Sequence, residues 1–368
     1  MPHPSVRSLP ARSANFELLR IAAMLMIVLL HVLGKGGVLT APDAACVNKT
    51  GFWLLETLSI VAVDCYVLLS GYFQCRSTFR LGKYLRLWSQ VLFYSVTLTL
   101  LCAAFSGDGF SERQFYASLF PVVTTRYWYV TAYFGLYILS PGLNFLLRNA
   151  PQRFLANALL TLFLLFSLWS WVVDPFYVVS GYSLLWFCML YLTAGYIRLY
   201  GSAQRPARRC LGIYLLLSAV TFALHAWTPR ISGDMLCYNA PLVFLAATAL
   251  FLGFRRLTIP DRWRPLVLRL SGLTFGVYLI HEHPQFKTVL YTAFDLPDSA
   301  SSPWGIPYVL GCAALIYGAC SAVEFLRSGA FRLLHVAEGL DSLAAWIETR
   351  WAALRERLLP AILTPDDE

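Results

Sequence analysis

The constraint that most limits what this chain can fold into is the succession of long apolar runs between residues 16 and 326. Read against their polar punctuation, they give ten candidate spans, at 16–33, 52–73, 87–106, 127–147, 154–173, 183–200, 210–227, 239–254, 270–290 and 304–326. Several approach the roughly 20 residues that a helix needs to cross hydrocarbon. Inside a bilayer the backbone must satisfy its own hydrogen bonds, which selects helices. The expected fold class is therefore all-α, a polytopic transmembrane bundle of about ten spans. Composition agrees, with 58% hydrophobic and 13% charged residues against about 45–50% and about 25% in soluble domains. A mean hydropathy of +0.59, 15% aromatics and 11 Trp exclude a disordered chain, a nucleic-acid-binding domain and a secreted disulfide scaffold.

The net charge of +9 is topological. With the N-terminus cytoplasmic, the inner segments hold Arg7 and Arg12, Arg76 to Arg86, Arg148 and Arg153, Arg198 to Arg209, Arg255 to Arg269, and every Arg from Arg327 onward. The outer segments keep Lys35, Lys49, Arg113, Arg126, Arg230 and Lys287. This is the positive-inside asymmetry, with both termini inside. Anionic lipid headgroups are the partners it implies, and nucleic acid is not required. The nine Cys are scattered, several within apolar runs (Cys102, Cys188, Cys312, Cys320), without Cys-x-x-Cys spacing, and read as small core residues.

Three segments follow: 1–14 as a cytoplasmic N-terminal segment, 15–326 as the membrane domain, and 327–368 as a tail. No small-residue cleavage site follows the first apolar run, so that run is expected to be retained as a span. In the tail, Phe331, Leu334, Leu340, Leu343, Trp346, Trp351, Leu354 and Leu358 recur at mostly helical spacing. That suits a short amphipathic cytoplasmic helix on the inner leaflet.

Ionisable side chains within spans are costly and mark function by default. The first span carries Glu17, Arg20 and His31. Eleven residues turn a helix by about 1100°, close to three full turns, over a rise of about 16 Å, so Arg20 and His31 share a face at different depths. The second span carries Glu56 and Asp64, about 80° from a common face, which are expected to meet Arg20, His31 or other groups across the interface with span one. A carboxylate accepting from the His31 ring would fix its tautomer. Ser70-Gly71 also suits a close helix contact. Arg80, Lys83 and Arg86 recur at three-residue spacing after Arg76, a set able to hold a polyphosphate and equally ordinary inner charge. Further on, Arg126-Tyr-Trp-Tyr129 opens a span, Arg230, Asp234 and Asn239 flank another, and His281-Glu-His283-Pro284 interrupts the ninth. Zinc on His31, His281 and His283 lacks the spacing of a known ligand motif, and no metal is expected.

Several of these segments together resemble the acyltransferase-3 family of polytopic membrane O-acyltransferases, many of which acetylate bacterial surface polysaccharides. The match comprises Asn15 to His31 with its Arg-x10-His spacing, Val63 to Phe73, the basic loop, Tyr127 to Val130, and Val277 to His281. It covers roughly residues 15–326. The resemblance implies a ten-span domain in a bacterial cytoplasmic membrane. It also implies acetyl-CoA as cytosolic donor and transfer of an acetyl or short acyl group to a hydroxyl of a cell-surface or lipid-linked glycan. His31 matches the family's catalytic His and Arg20 its paired Arg. The basic loop matches an Arg-x-x-Arg element at the CoA end, departing from it as Lys83-x-x-Arg86. Lys lacks the bidentate fork of Arg.

The expected catalytic set is His31, Arg20, Asp64 and Glu56, with Arg80, Lys83 and Arg86 on the donor phosphates. Ser70, Tyr72, Trp128 and His281 are the expected acceptor-side residues, with Tyr129 a further stacking candidate. His31 would serve as base for the acceptor hydroxyl or as an acylated nucleophile, and the sequence leaves both routes open. A homodimer is compatible with the sequence. The rival reading is a secondary transporter of a lipid-linked or small anionic substrate, with Arg20, Glu56, Asp64 and His281 lining its path.

Overall fold

A computed structural model describes residues 13–41, 48–105, 109–201, 206–227 and 235–363. Arg7, Arg12, Arg205, Arg230 and Asp234 lie outside the described residues. Every long element is helical, and no strand occurs among the described residues. In chain order the helices are α1 (Ala14–Gly34), α2 (Lys49–Ser59), α3 (Ala62–Gln74), α4 (Leu81–Phe105), α5 (Glu112–Leu119), α6 (Trp128–Asn149) and α7 (Gln152–Val172). They continue as α8 (Leu184–Tyr200), α9 (Ala207–Trp227), α10 (Pro241–Phe254), α11 (Arg264–Ser271), α12 (Thr274–His281), α13 (Phe286–Thr292), α14 (Gly305–Leu333) and α15 (Val336–Leu363). Seven helical stretches are long and apolar enough to cross a membrane: α1, the joined α2 and α3, α4, α6, α7, α9 and α14. The shorter apolar helices α8 and α10 fall on two further expected spans.

The expected ninth span is not one helix. It divides into α11, α12 and α13, broken at Gly272-Leu273 and again after His281. Pro284 has no amide hydrogen and disfavours helical backbone at His283, so the second break is written in the sequence. Groups freed there find partners, since the Tyr127 hydroxyl donates to Leu279 O (3.1 Å) and the Phe286 amide to His283 Nδ1 (3.3 Å). Interrupted backbone is tolerated at membrane depth only where it is buried in protein in this way.

Helix α1 is apolar around most of its circumference, which fits an interior helix rather than a one-sided one. It packs against α2, α3, α10, α11, α12 and α14, with Leu19, Ala23, Val28, Val32 and Leu33 fully buried. Its start is fastened by Asn15, whose side chain donates to Phe254 O (2.9 Å) and Arg255 O (3.1 Å) at the end of α10. Helices α3 and α8 touch backbone to backbone. A Cβ on Gly71 would lie 2.6 Å from Tyr191 O and 2.7 Å from Tyr191 Cα, so this is the small-residue contact expected at Ser70-Gly71.

One buried charge escaped the sequence reading. Glu324 on α14 is chelated by Arg327 (2.6 and 2.8 Å) and accepts from the Tyr94 hydroxyl (2.7 Å) and Gln90 (3.1 Å) on α4. A fully satisfied carboxylate of this kind ties helices together. The tail turns at His335 (φ 50°) and returns as α15 along α4. There Gly82 lets Asp341 approach, and Arg86 donates to both Asp341 oxygens (2.8 and 2.6 Å).

Candidate active site

The last turn of α1 meets the broken end of α12. His31 Nδ1 lies 2.9 Å from His281 Nε2 and 3.3 Å from Glu282 Oε1, while Glu282 Oε2 is ion-paired with Lys35. His281 is fully buried, and its Nδ1 sits 2.6 Å from Val277 O, one helical turn back. A carbonyl oxygen can only accept, so His281 Nδ1 carries a hydrogen and Nε2 of the neutral ring is an acceptor. His31 Nδ1–H then donates to His281, and His31 Nε2 keeps its lone pair. The side chain of His31 retains 14% exposure, enough to be reached. The tautomer of His31 is thus set by a second histidine, which is in turn set by the main chain.

Lys35 stands outside the helix, and burial holds its ammonium below the usual lysine range although Glu282 opposes the shift. Its charge offsets that of Glu282, the only carboxylate hydrogen-bonded or ion-paired to this pair among the described residues. His31, His281 and Glu282 offer ligand atoms within 4.8 Å of one another and are the residues that could hold a cation. Loading it would displace Lys35 and break the His31–His281 hydrogen bond. His283, the third ligand considered from sequence, is turned elsewhere, its Nε2 3.3 Å from Ser95 O and its Nδ1 accepting from Phe286.

The other sequence candidates separate. Arg20 pairs with Glu17 (2.9 Å), one turn away on its own helix, rather than with a carboxylate of span two. Asp64 is fully buried and accepts from Trp186 Nε1 (3.0 Å), and neither Arg20 nor His31 is its partner. Trp186 belongs to α8, one of the helices against which α3 packs. Glu56, on α2, shares the electrostatic surroundings of Tyr238 with Asp64 and does not join the histidines. Ser70 donates to Tyr66 O (3.0 Å) within its own helix. Tyr72 accepts from Arg198 (2.8 Å) and packs on Phe16 (4.9 Å), at the opposite end of α1 from His31. As an acceptor-stacking residue for His31 it is misplaced. His281, expected on the acceptor side, contacts His31 itself and has both ring nitrogens engaged. Trp128 stays at the histidine end, half-buried among Tyr182 (4.4 Å) and Tyr238 (5.9 Å).

Near the other end of the bundle, Lys83, Tyr84, Arg86, Leu87, Gln90, Tyr133 and Tyr137 line a cavity of about 240 Å³. Lys83 lies over the Tyr137 ring (5.6 Å), while Arg80 contacts Tyr137 only through its main chain (3.3 and 3.4 Å) and does not line the cavity. From this cavity a row of rings leads inward. Tyr133 stacks on Tyr129 (5.9 Å), Tyr129 meets Tyr278 edge-on (5.7 Å), Tyr278 meets His281 (6.1 Å), and His281 meets His31 (5.1 Å). Tyr66, whose hydroxyl donates to Arg20 O (2.9 Å), meets Tyr129 edge-on (6.4 Å) part-way along this row.

Sequence reasoning named Glu282 and Lys35 only in passing. The available signals were the i,i+4 spacing of His31 and Lys35 and the position of Glu282 between two histidines at a helix break. A family model described as an acyltransferase domain matches residues 13–324 of the chain. No curated protein and no solved structure matches it.

Proposed function

Because the chain belongs to the acyltransferase-3 family and is a multi-pass membrane acyltransferase, we infer that it moves an acetyl or short acyl group from acyl-CoA to a hydroxyl of a cell-surface or lipid-linked glycan. The observation that carries this reading is the relay from Val277 O through His281 to His31, which leaves a lone pair on His31 Nε2. In this reading His31 Nε2 takes the proton of the acceptor hydroxyl as its oxygen attacks the thioester carbonyl. The tetrahedral intermediate collapses, the carbon–sulfur bond breaks, and the CoA sulfur leaves with the proton returned by His31. General-base assistance of this kind contributes about 10²–10⁴-fold. His281 and Glu282 favour the transient imidazolium, the first by accepting from Nδ1–H and the second by its charge at 3.3 Å.

Donor phosphates are assigned to Lys83 and Arg86 at the cavity, on the side that faces the cytosol in this reading. A cavity of 240 Å³ suits part of CoA rather than the whole. In this reading the pantetheine arm runs along the aromatic row from the cavity toward His31. Arg86 is held by Asp341, so phosphate binding there replaces a carboxylate with a more highly charged anion.

The test uses purified protein in detergent with acetyl-CoA, reading thermal stability and free-thiol release. Wild type is expected to be stabilised and to release thiol. Lys83→Gln with Arg86→Gln loses the stabilisation, and His31→Ala keeps it but releases no thiol above background. Normal turnover by His31→Ala would remove His31 from the chemistry.

A further inference from the structure

Against His283, two residues after the paired His281, stands a cation without a counter-charge. Arg126, in the turn before α6, reaches into the gap between α4 and the loop after α12. Its Nη2 donates to Thr99 Oγ1 (3.0 Å) and approaches Gln285 Oε1 (3.4 Å). Its Nη1 donates to the main-chain and side-chain oxygens of Gln114 (both 3.2 Å). The contact with His283 Nε2 (3.4 Å) adds no acceptor, because that nitrogen carries the hydrogen facing Ser95 O. Its Nε is buried without a partner. Every acceptor around this guanidinium is neutral among the described residues. Lys287, whose main-chain amide donates to His283 O (2.9 Å), places a second cationic residue one turn beyond His283. The nearby carboxylate of Glu282 is already committed to Lys35 and His31.

A partly buried cation held only by neutral groups is poorly compensated and is a ready site for an anion. This one contacts His283, which stands two residues along the chain from His281, the partner of His31. The half-buried Trp128, two residues after Arg126, offers an aromatic face at the same end. We propose that Arg126, backed by Lys287, binds an acidic group of the acyl acceptor, so that the acceptor is an acidic glycan presenting a carboxylate or phosphate beside the hydroxyl delivered to His31. The proposal rests on the acyltransferase reading for the identity of the ligand as acceptor, while the anion site itself does not.

The experiment measures binding of methyl glucuronide, glucose 1-phosphate and methyl glucoside to the purified full chain, in a detergent without a sugar headgroup, with acetyl-CoA titrated separately. One or both acids should bind about tenfold or more tightly than the neutral glucoside, and the arm that responds identifies carboxylate or phosphate. Arg126→Gln abolishes that preference, and Arg126→Lys, which keeps the charge and loses the fork, weakens it several-fold. Equal binding of all three sugars, or an acid preference that survives in Arg126→Gln, overturns the proposal. Should Arg126→Gln not fold, an undiminished preference in Arg126→Lys and in Lys287→Gln overturns it equally. Acidic sugars that bind through Arg126 while acetyl-CoA does not bind would sink the donor reading and leave the anion site standing.

Discussion

Replacing His281 with Phe isolates the positioning of the base from the base itself. The ring is fully buried and touches His31, so Phe fills a similar space, while Val277 O keeps the helical amide hydrogen of residue 281. What disappears is the acceptor 2.9 Å from His31 Nδ1. Glu282 Oε1, 3.3 Å away, makes no hydrogen bond with His31, so the donor is left without its partner at a cost of about 1–3 kcal/mol, and that penalty falls on the tautomer with a free Nε2 lone pair. At about 1.4 kcal/mol per factor of ten, kcat is expected to fall about 5- to 150-fold. The loss of His31 is expected to be larger, about 10²–10⁴-fold. KM for acetyl-CoA should hold, since Lys83 and Arg86 lie near the far end of the bundle. The assay follows transfer of labelled acetyl from acetyl-CoA in membranes at saturating donor, with His31→Ala in parallel. A His281→Phe enzyme of unchanged kcat, or one altered in KM alone, would refute the relay.

Two further perturbations probe separate parts of the molecule. Gly71→Ala forces a Cβ against main-chain atoms of Tyr191 at 2.6 and 2.7 Å; overpacking of this kind costs about 1–3 kcal/mol, read as a lowered melting temperature in detergent, and an unchanged temperature would mean that α3 and α8 separate without penalty. Treatment with EDTA should leave transfer intact, because Lys35 and the histidine pairing engage the atoms that could bind a cation; a loss restored by zinc would reassign His31, His281 and Glu282 as ligands.

The helical architecture was legible because apolar run length dictates it, and even the failure of the ninth span was signalled by Pro284. The histidine pair was half legible. Helical arithmetic put Arg20 and His31 on one face, and the resemblance singled out His281, but no periodicity relates residues 250 positions apart. Asp64 was not legible for a physical reason: its hydrogen-bond partner is the indole of Trp186, 122 positions away on another helix, and no spacing around Asp64 reveals that Trp186 will face it. Glu324 was not legible because the groups that tie it to α4, Tyr94 and Gln90, lie 230 and 234 positions away in the chain. Asp341 was beyond reach, since helical spacing within the tail carries no information about which face of α4 it will meet.

The polarity of the histidine relay is anchored in a peptide oxygen, and this bears on how the site can change over time. Every amino acid supplies a carbonyl, so any substitution at position 277 that leaves the helix standing also leaves the acceptor for His281 Nδ1 in place. Side-chain drift at that position is therefore silent toward the proton's direction. A single-residue insertion between 277 and 281 is another matter, because it rotates the histidine by about 100° and carries Nδ1 away from the oxygen. The segment from Thr274 to His281 should accordingly vary in letters far more freely than in length.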